Sequence, residues 1–302
     1  MYLEYYKNMY EVPYFLKKYL KCPSLLRLKD IGYFCGMDYA SKNIYSFREK
    51  ITRLDHSLTV ALLTYKLTKN KKATLAGLFH DVSTPCFSHV IDYMNKDYLK
   101  QESTEEYIEE ILNNDKYLKR CLKKDKILLN DIVDFKKYTI VDSKRPKLCA
   151  DRIDGIILNG TFWSKSLEKE DIKKIINDLR VYQNEDKEKE IGFKSIDIAN
   201  LALKVNKEID ILSHSKEDNY MMELLAKITK KAIDDNYITY KDLYKLNEKD
   251  LYNIYEKINN IEFKQLFTKF KTIKQVEIED LNIKNIKRKT INPLVNGKRL
   301  LK

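Results

Sequence analysis

Glycine and proline are scarce in this chain, and their scarcity limits the folds open to it. Only seven glycines and five prolines occur in 302 residues. Folds built from many tight turns, such as β-sandwiches and barrels, need more of both residues. The composition therefore favours long helices joined by short polar loops. An apolar content of 43% is enough for such helices to bury a sizeable core.

Apolar spacing and helix-start signals also predict a mostly α fold. From Leu54 to Leu67 the apolar residues recur mostly three to four positions apart, which is typical of a helix that buries one face. Ser103 and Glu106 have the spacing of a capping box ahead of an amphipathic segment. Three later segments also open with a capping residue and an acid three positions on: SKEDNYMM, TYKDLYKL and NEKDLYNIY.

The pattern changes near residue 263. Four apolar residues there are spaced for short strands: Val276, Ile278, Ile283 and Ile286. The final stretch, NIKRKTINPLVNGKRLLK, is basic. We therefore predict a helical domain over residues 1–262 and a small basic β-rich extension over residues 263–302.

Charge and cysteine usage narrow the expected partners and compartment. The net charge of +12 suits an anionic partner, but acids alternate with the basic residues in most segments, which is typical of a solvated surface and disfavours nucleic acid. Five widely spaced cysteines without a CxxC pair indicate free thiols. No apolar run approaches the roughly 18 residues of a transmembrane helix. We expect a cytoplasmic protein with no membrane partner.

Two of the four histidines fall within one short segment, HDVSTPCFSH. His80 opens it and is followed directly by Asp81. His56 lies upstream on the apolar helix, and Asp151 lies downstream on another predicted helix. Two imidazoles and two carboxylates suit a borderline divalent metal, and in an octahedral ion they leave two positions open. The alternative interpretation is a buried histidine–aspartate hydrogen bond in the core.

The order and context of these residues resemble the HD-domain metal-dependent phosphohydrolases. The segment RLDHSLTVA is similar to the R-x-x-H-S-x-x-V-A start of the branch that contains the deoxynucleoside triphosphate triphosphohydrolases. LFHDVSTPCFSH resembles the H-D-x-G-H-x-P-F-S-H of that branch, and ADRIDGIIL resembles its D-R-x-D-Y segment. The resemblance covers roughly residues 50–160.

The resemblance implies a mostly α HD-domain fold, here with a small β-containing C-terminal extension. It implies one divalent metal ion (Mn, Fe, Co, Ni, Zn or Mg) with four ligands: His56, His80, Asp81 and Asp151. The expected substrate is a small phosphorylated compound, in the first place a nucleotide. Because related triphosphohydrolases assemble into oligomers, we also expect a homo-oligomer.

Further site residues follow from the same resemblance. The expected catalytic residues are Asp81, His89 and Glu102, and the expected phosphate-binding residues are Arg53, His89 and Arg152. Four of these residues have a structural alternative. Arg53 could pair with Asp55 or be an exposed charge, His89 could pack under its turn, Arg152 could form a structural ion pair, and Glu102 could cap a helix.

The sequence departs from the triphosphohydrolase pattern beside the metal ligands. Ser83 and Thr84 replace a glycine and a histidine, Gln101 replaces a later histidine, and Gly155 and Asn159 replace a tyrosine and an aspartate. These changes weigh against triphosphohydrolysis and leave hydrolysis of a phosphoester or phosphoanhydride as the expected activity. The alternative is a non-catalytic metal- and nucleotide-binding sensor or regulatory protein on the same fold.

Overall fold

The computed structural model describes residues 11–101, 103–283 and 286–301. The prediction of a mostly helical fold with a small β element is confirmed. The helices are α1 Leu16–Tyr19, α2 Pro23–Leu26, α3 Arg53–Thr68, α4 Lys71–Phe79, α5 Val90–Met94, α6 Ile108–Asn114, α7 Lys116–Asp125, α8 Asn130–Val133, α9 Ala150–Phe162, α10 Lys169–Asp178, α11 Ile196–Leu212, α12 Lys216–Asp234, α13 Asp242–Lys245, α14 Glu248–Lys257 and α15 Ile261–Thr272. Within these described ranges, no helix is long and apolar enough to cross a membrane.

Helices α3 and α4 form the centre of the molecule and pack against each other. Every residue from His56 to Thr64 of α3 is buried, so this helix lies inside the core rather than along its edge. Lys69 ends α3 with a left-handed backbone, and Asn70 then caps α4 by accepting from the backbone N–H groups of Lys72 and Ala73. Helix α9 packs on the other side of α3, and α11 packs on α9.

Of the four helix-start signals in the sequence, two are confirmed and two are displaced. The side chains of Ser215 and Asn247 cap α12 and α14 as predicted. The signal at Ser103 instead coincides with a short 3-10 helix, Ser103–Glu105, and α6 begins only at Ile108. Thr239 does not cap α13, which begins only at Asp242; its backbone N–H and hydroxyl donate to the Asp242 carboxylate.

A small sheet joins the C-terminal segment to the middle of the chain. Strand β1 (Leu179–Gln183) pairs antiparallel with β2 (Lys189–Phe193), β2 pairs in parallel with β3 (Leu294–Val295), and β3 pairs antiparallel with β4 (Lys298–Arg299). A Cβ atom at Gly192 would lie 2.6 Å from the carbonyl oxygen of Leu294, so glycine permits this close approach.

The C-terminal strands β3 and β4 lie further along the chain than the segment from Val276 to Ile286, where the apolar spacing predicts strands. Residues Gln275–Glu277 instead form a 3-10 helix, and Val276 is 91% exposed. Helix α15 runs across residue 262 and packs on α12. The domain boundary at that residue stays a prediction.

Candidate metal centre and its cavity

Three separate elements bring the predicted metal ligands together. His56 lies one turn into α3, whose start is fixed by a capping box between Thr52 and Asp55. His80 follows the last residue of α4 and is buried, and Asp81 comes next in the turn. Asp151 lies in the first turn of α9. The packing of α3 against both α4 and α9 therefore sets the geometry of the cluster.

Three of the four side chains, those of His56, His80 and Asp151, converge on one point, and the Asp81 carboxylate lies beside the two histidines. The Nε2 atom of His56 lies 3.0 Å from Oδ1 of Asp151, and Nε2 of His80 lies 3.6 Å from the same oxygen. The carboxylate of Asp81 lies 3.8 Å from Nε2 of His56 and 3.7 Å from Nε2 of His80. The ligand atoms of His56, His80 and Asp151 all lie within 4.8 Å of one another, so these three residues form a cluster that could bind a metal ion.

Hydrogen bonds on the far sides of both rings orient the imidazoles. Nδ1 of His80 lies 2.8 Å from the carbonyl oxygen of Gly77, which can only accept, so Nδ1 carries the proton. Nδ1 of His56 lies 2.8 Å from Oδ2 of Asp154, and that oxygen also accepts from the hydroxyl of Thr59 at 2.7 Å. This arrangement leaves both Nε2 lone pairs for the cluster, as metal-binding histidines require.

One buried atom of the cluster has no partner. Nε2 of His80 makes no hydrogen bond with the described residues, although it is buried. An unsatisfied buried nitrogen costs free energy, and such a group in a native site calls for an explanation. A divalent cation bound by His56, His80 and the carboxylates would satisfy it, so the donor set fits a metal.

The electrostatics of the cluster also favour a positive charge. Burial opposes a charge on His56, yet hydrogen bonds to Asp151 and Asp154 raise its pKa to about 10. Burial alone would raise the pKa of Asp151, but the hydrogen bond from His56 and the nearby ring of His80 hold it well below its usual range. The carboxylates therefore stabilise positive charge between them, and a bound divalent cation would displace the ring protons.

Arg53 contacts Asp81 and not the predicted alternative Asp55. Its Nη1 atom donates to Oδ2 of Asp81 at 2.8 Å, and both residues are buried. The guanidinium also lies over the ring of Tyr33, 5.0 Å from the ring centroid. Arg53 is thus held directly beside the cluster, while Asp55 is used in the helix cap.

A cavity of about 240 Å³ opens beside the cluster, lined in part by His56, Asp151, Arg53 and His89. His89 keeps about a third of its side chain exposed, and its Nδ1 atom lies 2.8 Å from Oδ2 of Asp92. The Asp92 carboxylate also accepts from the backbone N–H of Ser103. His89 is therefore oriented toward the cavity by a buried carboxylate.

Arg152 also lines the cavity, but its guanidinium is tied to the main chain. It donates to the carbonyl oxygen of Ser143 at 2.7 Å and to that of Lys147, and the carboxylate of Asp142 lies 3.8 Å away. These contacts match the structural alternative for Arg152. Glu102, the other predicted catalytic residue, lies outside the described residues.

The positions that depart from the triphosphohydrolase pattern fall into two groups. Gln101, Gly155 and Asn159 line the cavity. Thr84 is fully buried, and so is Ser83, whose hydroxyl donates to the carbonyl oxygen of Thr104. The first group can alter substrate contacts directly, whereas the second lies inside the turn that carries Asp81.

Sequence reasoning missed much of the cavity lining, including its polar residues Tyr33, Arg145 and Lys289. The amide of Asn159 donates to the Tyr33 hydroxyl at 3.4 Å, so this tyrosine covers part of the space over Gly155. The three residues come from segments far apart in the chain and match no motif. Only the tertiary packing brings them to the site.

Known proteins resemble this chain in a region that contains most of the cluster. Residues 53–134 match the HD domain family. The chain is 26% identical to an uncharacterized protein, YdhJ, of Bacillus subtilis, over 88% of this chain and 78% of that protein. It is 28% identical to the metal-dependent phosphohydrolase cns2 of Cordyceps militaris, over 44% of this chain and 38% of that protein. Three of the four predicted metal ligands, His56, His80 and Asp81, lie within the region that matches the HD domain.

Proposed function

We propose that this protein is a metal-dependent phosphohydrolase that acts on a nucleotide or a similar small phosphorylated compound. The observation that carries the proposal is the buried, unpartnered Nε2 of His80 inside a histidine–aspartate cluster that borders a cavity lined by cationic side chains. The similarity to a metal-dependent phosphohydrolase over part of the chain supports the same reaction class. The branch within the HD family stays a prediction from the motifs.

The metal ligands in this proposal are His56, His80, Asp81 and Asp151. Arg53 holds one oxygen of Asp81, so the other oxygen, which faces His80, is the one that would bind. When bound, a divalent ion (Mn, Fe, Co, Ni, Zn or Mg) supplies activation of a water molecule and neutralisation of charge on the phosphate.

Residues beside the cluster would position the phosphate and move the proton. The guanidinium of Arg53 is held between Asp81 and Tyr33 and lines the cavity, where it can contact phosphate oxygens. Asp92 holds Nδ1 of His89, which leaves Nε2 free to donate a proton to the leaving oxygen. Roles for Arg152 in phosphate binding and Glu102 in proton transfer remain part of the proposal.

The cavity lining supports a nucleotide as the substrate. Aromatic rings line it from several elements: Tyr33, Phe34, Tyr45, Phe47, Tyr93 and Trp163. Such rings offer flat apolar surfaces to a base, while the cations suit its phosphates. The volume of about 240 Å³ lies just below the roughly 300–1,000 Å³ of typical ligand pockets, so it suits a small molecule and not a polymer.

The test is a hydrolysis screen with purified full-length protein. Each metal is offered in turn with nucleoside mono-, di- and triphosphates, and released phosphate and pyrophosphate are measured. We expect turnover with at least one metal. In Asp151→Asn the hydrolysis rate should fall by at least about a hundredfold, because an amide replaces the carboxylate that lies beside both histidines in the proposed metal site. Asp197→Asn, at an exposed position on α11, is the matched control and should hydrolyse normally.

A non-catalytic sensor is the second candidate function. Gln101 lines the cavity where the resembling family has a histidine, and a glutamine cannot donate a proton in the same way. Thr84 is buried within the turn and cannot replace the other histidine at the cavity. Metal-dependent nucleotide binding with no turnover in the same screen would favour the sensor over the enzyme.

A further inference from the structure

Part of the basic C-terminal stretch lies against the cavity. Ile286, Lys287 and Lys289 line it. The backbone N–H of Lys287 donates to the carbonyl oxygen of Tyr98 at 3.0 Å, and the backbone N–H of Lys289 donates to the Asp210 carboxylate at 2.6 Å. The segment is thus held on two sides, by the loop after α5 and by α11.

Five cationic side chains line the cavity, and three of them have close partners for their charge or their donors. Arg53 is paired with Asp81. Arg152 donates to two main-chain carbonyl oxygens. The Lys287 ammonium donates to the carbonyl oxygen of Lys100 at 2.8 Å. These three groups therefore have built-in contacts that hold them in place.

Arg145 and Lys289 are the other two, and neither makes an ion pair with a carboxylate among the described residues. Nη1 of Arg145 donates to the carbonyl oxygen of Thr290 at 3.1 Å, which places the guanidinium next to the residue that follows Lys289. Asp218 is the acid of this part of the cavity, but its carboxylate accepts from the Tyr45 hydroxyl at 2.7 Å. Two neighbouring cations in a partly buried site thus have no carboxylate within ion-pair distance among the described residues.

Their electrostatics agree with that geometry. Burial lowers the pKa of Lys289; the negative charge of Asp218 opposes this shift in part, and the positive charge of Arg145 adds to it. Burial also lowers the pKa of Arg145 to about 10, and Arg152 adds to this effect. An anion bound between the two groups would relieve both penalties.

We propose that Arg145 and Lys289 form a second anion subsite, which binds a phosphate group of the substrate other than the group held at the histidine–aspartate cluster. A planar guanidinium beside an ammonium suits the several oxygens of a phosphate. The inference rests on the proposed function for the group that is cleaved. It adds that the preferred substrate carries two or more phosphates.

The direct test is calorimetric binding of tripolyphosphate to the full chain after chelation of all metals. We expect Lys289→Gln and Arg145→Gln each to weaken this binding about tenfold, the effect of losing one charge-assisted hydrogen bond. Lys298→Gln and Arg120→Gln are the matched controls, since both residues are exposed and lie outside the cavity, and both should bind as the parent does. Thermal melting verifies that each variant is folded, and either cavity variant alone is sufficient for the test.

A competition experiment tests whether the subsite binds a phosphate group of the substrate or a separate anion. If the subsite serves the substrate itself, orthophosphate competes with tripolyphosphate in the parent protein. Simultaneous binding of both without competition would instead mean a separate anion and would overturn the inference. Unchanged tripolyphosphate binding in both cavity variants, or no binding by the parent, would overturn it as well.

These outcomes separate the inference from the proposed function, because binding is measured without turnover. If the protein binds tripolyphosphate through Lys289 but hydrolyses nothing, the subsite is supported and the proposed enzymatic function is contradicted. If the protein hydrolyses monophosphates but Lys289→Gln leaves tripolyphosphate binding unchanged, the proposed enzymatic function is supported and the subsite is contradicted.

Discussion

His56 is held between two carboxylates, one on each ring nitrogen. Asp151 lies on the cluster side, and Asp154 lies on the opposite side, fully buried, where it also accepts from Thr59. Such an outer carboxylate fixes the tautomer and direction of a ligand histidine and raises its basicity. The quality of the metal site therefore depends on a residue that does not touch the metal.

Asp154→Asn tests this dependence. Because an amide can present its N–H group to Nδ1 and favour the wrong tautomer, we expect metal affinity to fall about 10- to 100-fold. Thr59→Val removes one hydrogen bond to Asp154 but keeps the Asp154–His56 contact, so its effect should be several times smaller. Titration with manganese or cobalt measures both. Equal affinities for the parent and Asp154→Asn would show that this carboxylate does not orient His56.

At the residue scale, the sequence predicts the cluster but not its neighbours. The motif order brings His56, His80, Asp81 and Asp151 to attention, and the structure places their ligand atoms a few ångströms apart. The pairing of Arg53 with Asp81 was not predicted, since it depends on how α3 packs against α4 and not on any local spacing. Their roles in catalysis stay predictions.

Among the helices, α3 has the largest effect on the site because it carries both Arg53 and His56 in its first turns. The capping box of Thr52 and Asp55 satisfies backbone N–H groups that a helix start leaves without partners. The same contacts fix where the helix begins, and so fix the direction of the two side chains relative to α4 and α9.

Thr52→Ala is expected to lower the free energy of unfolding by about 1 kcal/mol and to weaken metal binding as well. Asn260→Ala removes the equivalent cap of α15, which carries no ligand of the site, and should cause a similar loss of stability with unchanged metal affinity. Urea denaturation and metal titration on both variants give the comparison. A fall in metal affinity of the same size in both would mean that general stability, and not the position of α3, controls the site.

Helices whose starts depend on local capping signals could be predicted from the sequence. Strands that depend on long-range pairing could not. Caps at Ser215 and Asn247 start α12 and α14 as their spacing predicts. The strands at Leu294 and Lys298 could not be placed, because β3 forms on an edge offered by β2, about a hundred residues earlier in the chain. Local alternation near Val276 therefore gave a wrong position for the strands.

The whole molecule contains a second group of buried acids, apart from the metal cluster. Near Gly32, one oxygen of Glu248 and one of Asp38 are buried without a hydrogen-bond partner among the described residues. Burial raises the pKa of Glu248 to about 7 and that of Asp38 to about 6. The other oxygen of Glu248 accepts from the backbone N–H of Phe87, so this acid connects α14 to the turn that precedes His89.

These raised pKa values predict how stability changes with pH. Between pH 4.5 and about 7 the folded protein keeps a proton on Glu248 that the unfolded chain releases, so stability falls as the pH rises through this window. The full effect of this one group corresponds to at most about 3 kcal/mol. Glu248→Gln has no such proton to lose, so its stability should fall less over the same range.

Urea denaturation of the parent and Glu248→Gln at several pH values across this window measures the difference. We expect the free energy of unfolding of the parent, relative to the variant, to decrease steadily as the pH rises. A difference that is constant with pH, or that grows in favour of the parent, would contradict a raised pKa for Glu248.

The central claim is that His56, His80, Asp81 and Asp151 together hold one divalent metal ion. The most direct measurement is the metal content of purified protein after incubation with manganese or cobalt and removal of free ion. We predict about one ion per chain in the parent and in His214→Ala, whose Nε2 is also buried and unpartnered but lies outside any ligand cluster of the described residues. We predict a large loss in His80→Ala. A parent chain that retains no ion, or a His80→Ala variant that retains as much as the parent, would contradict the account.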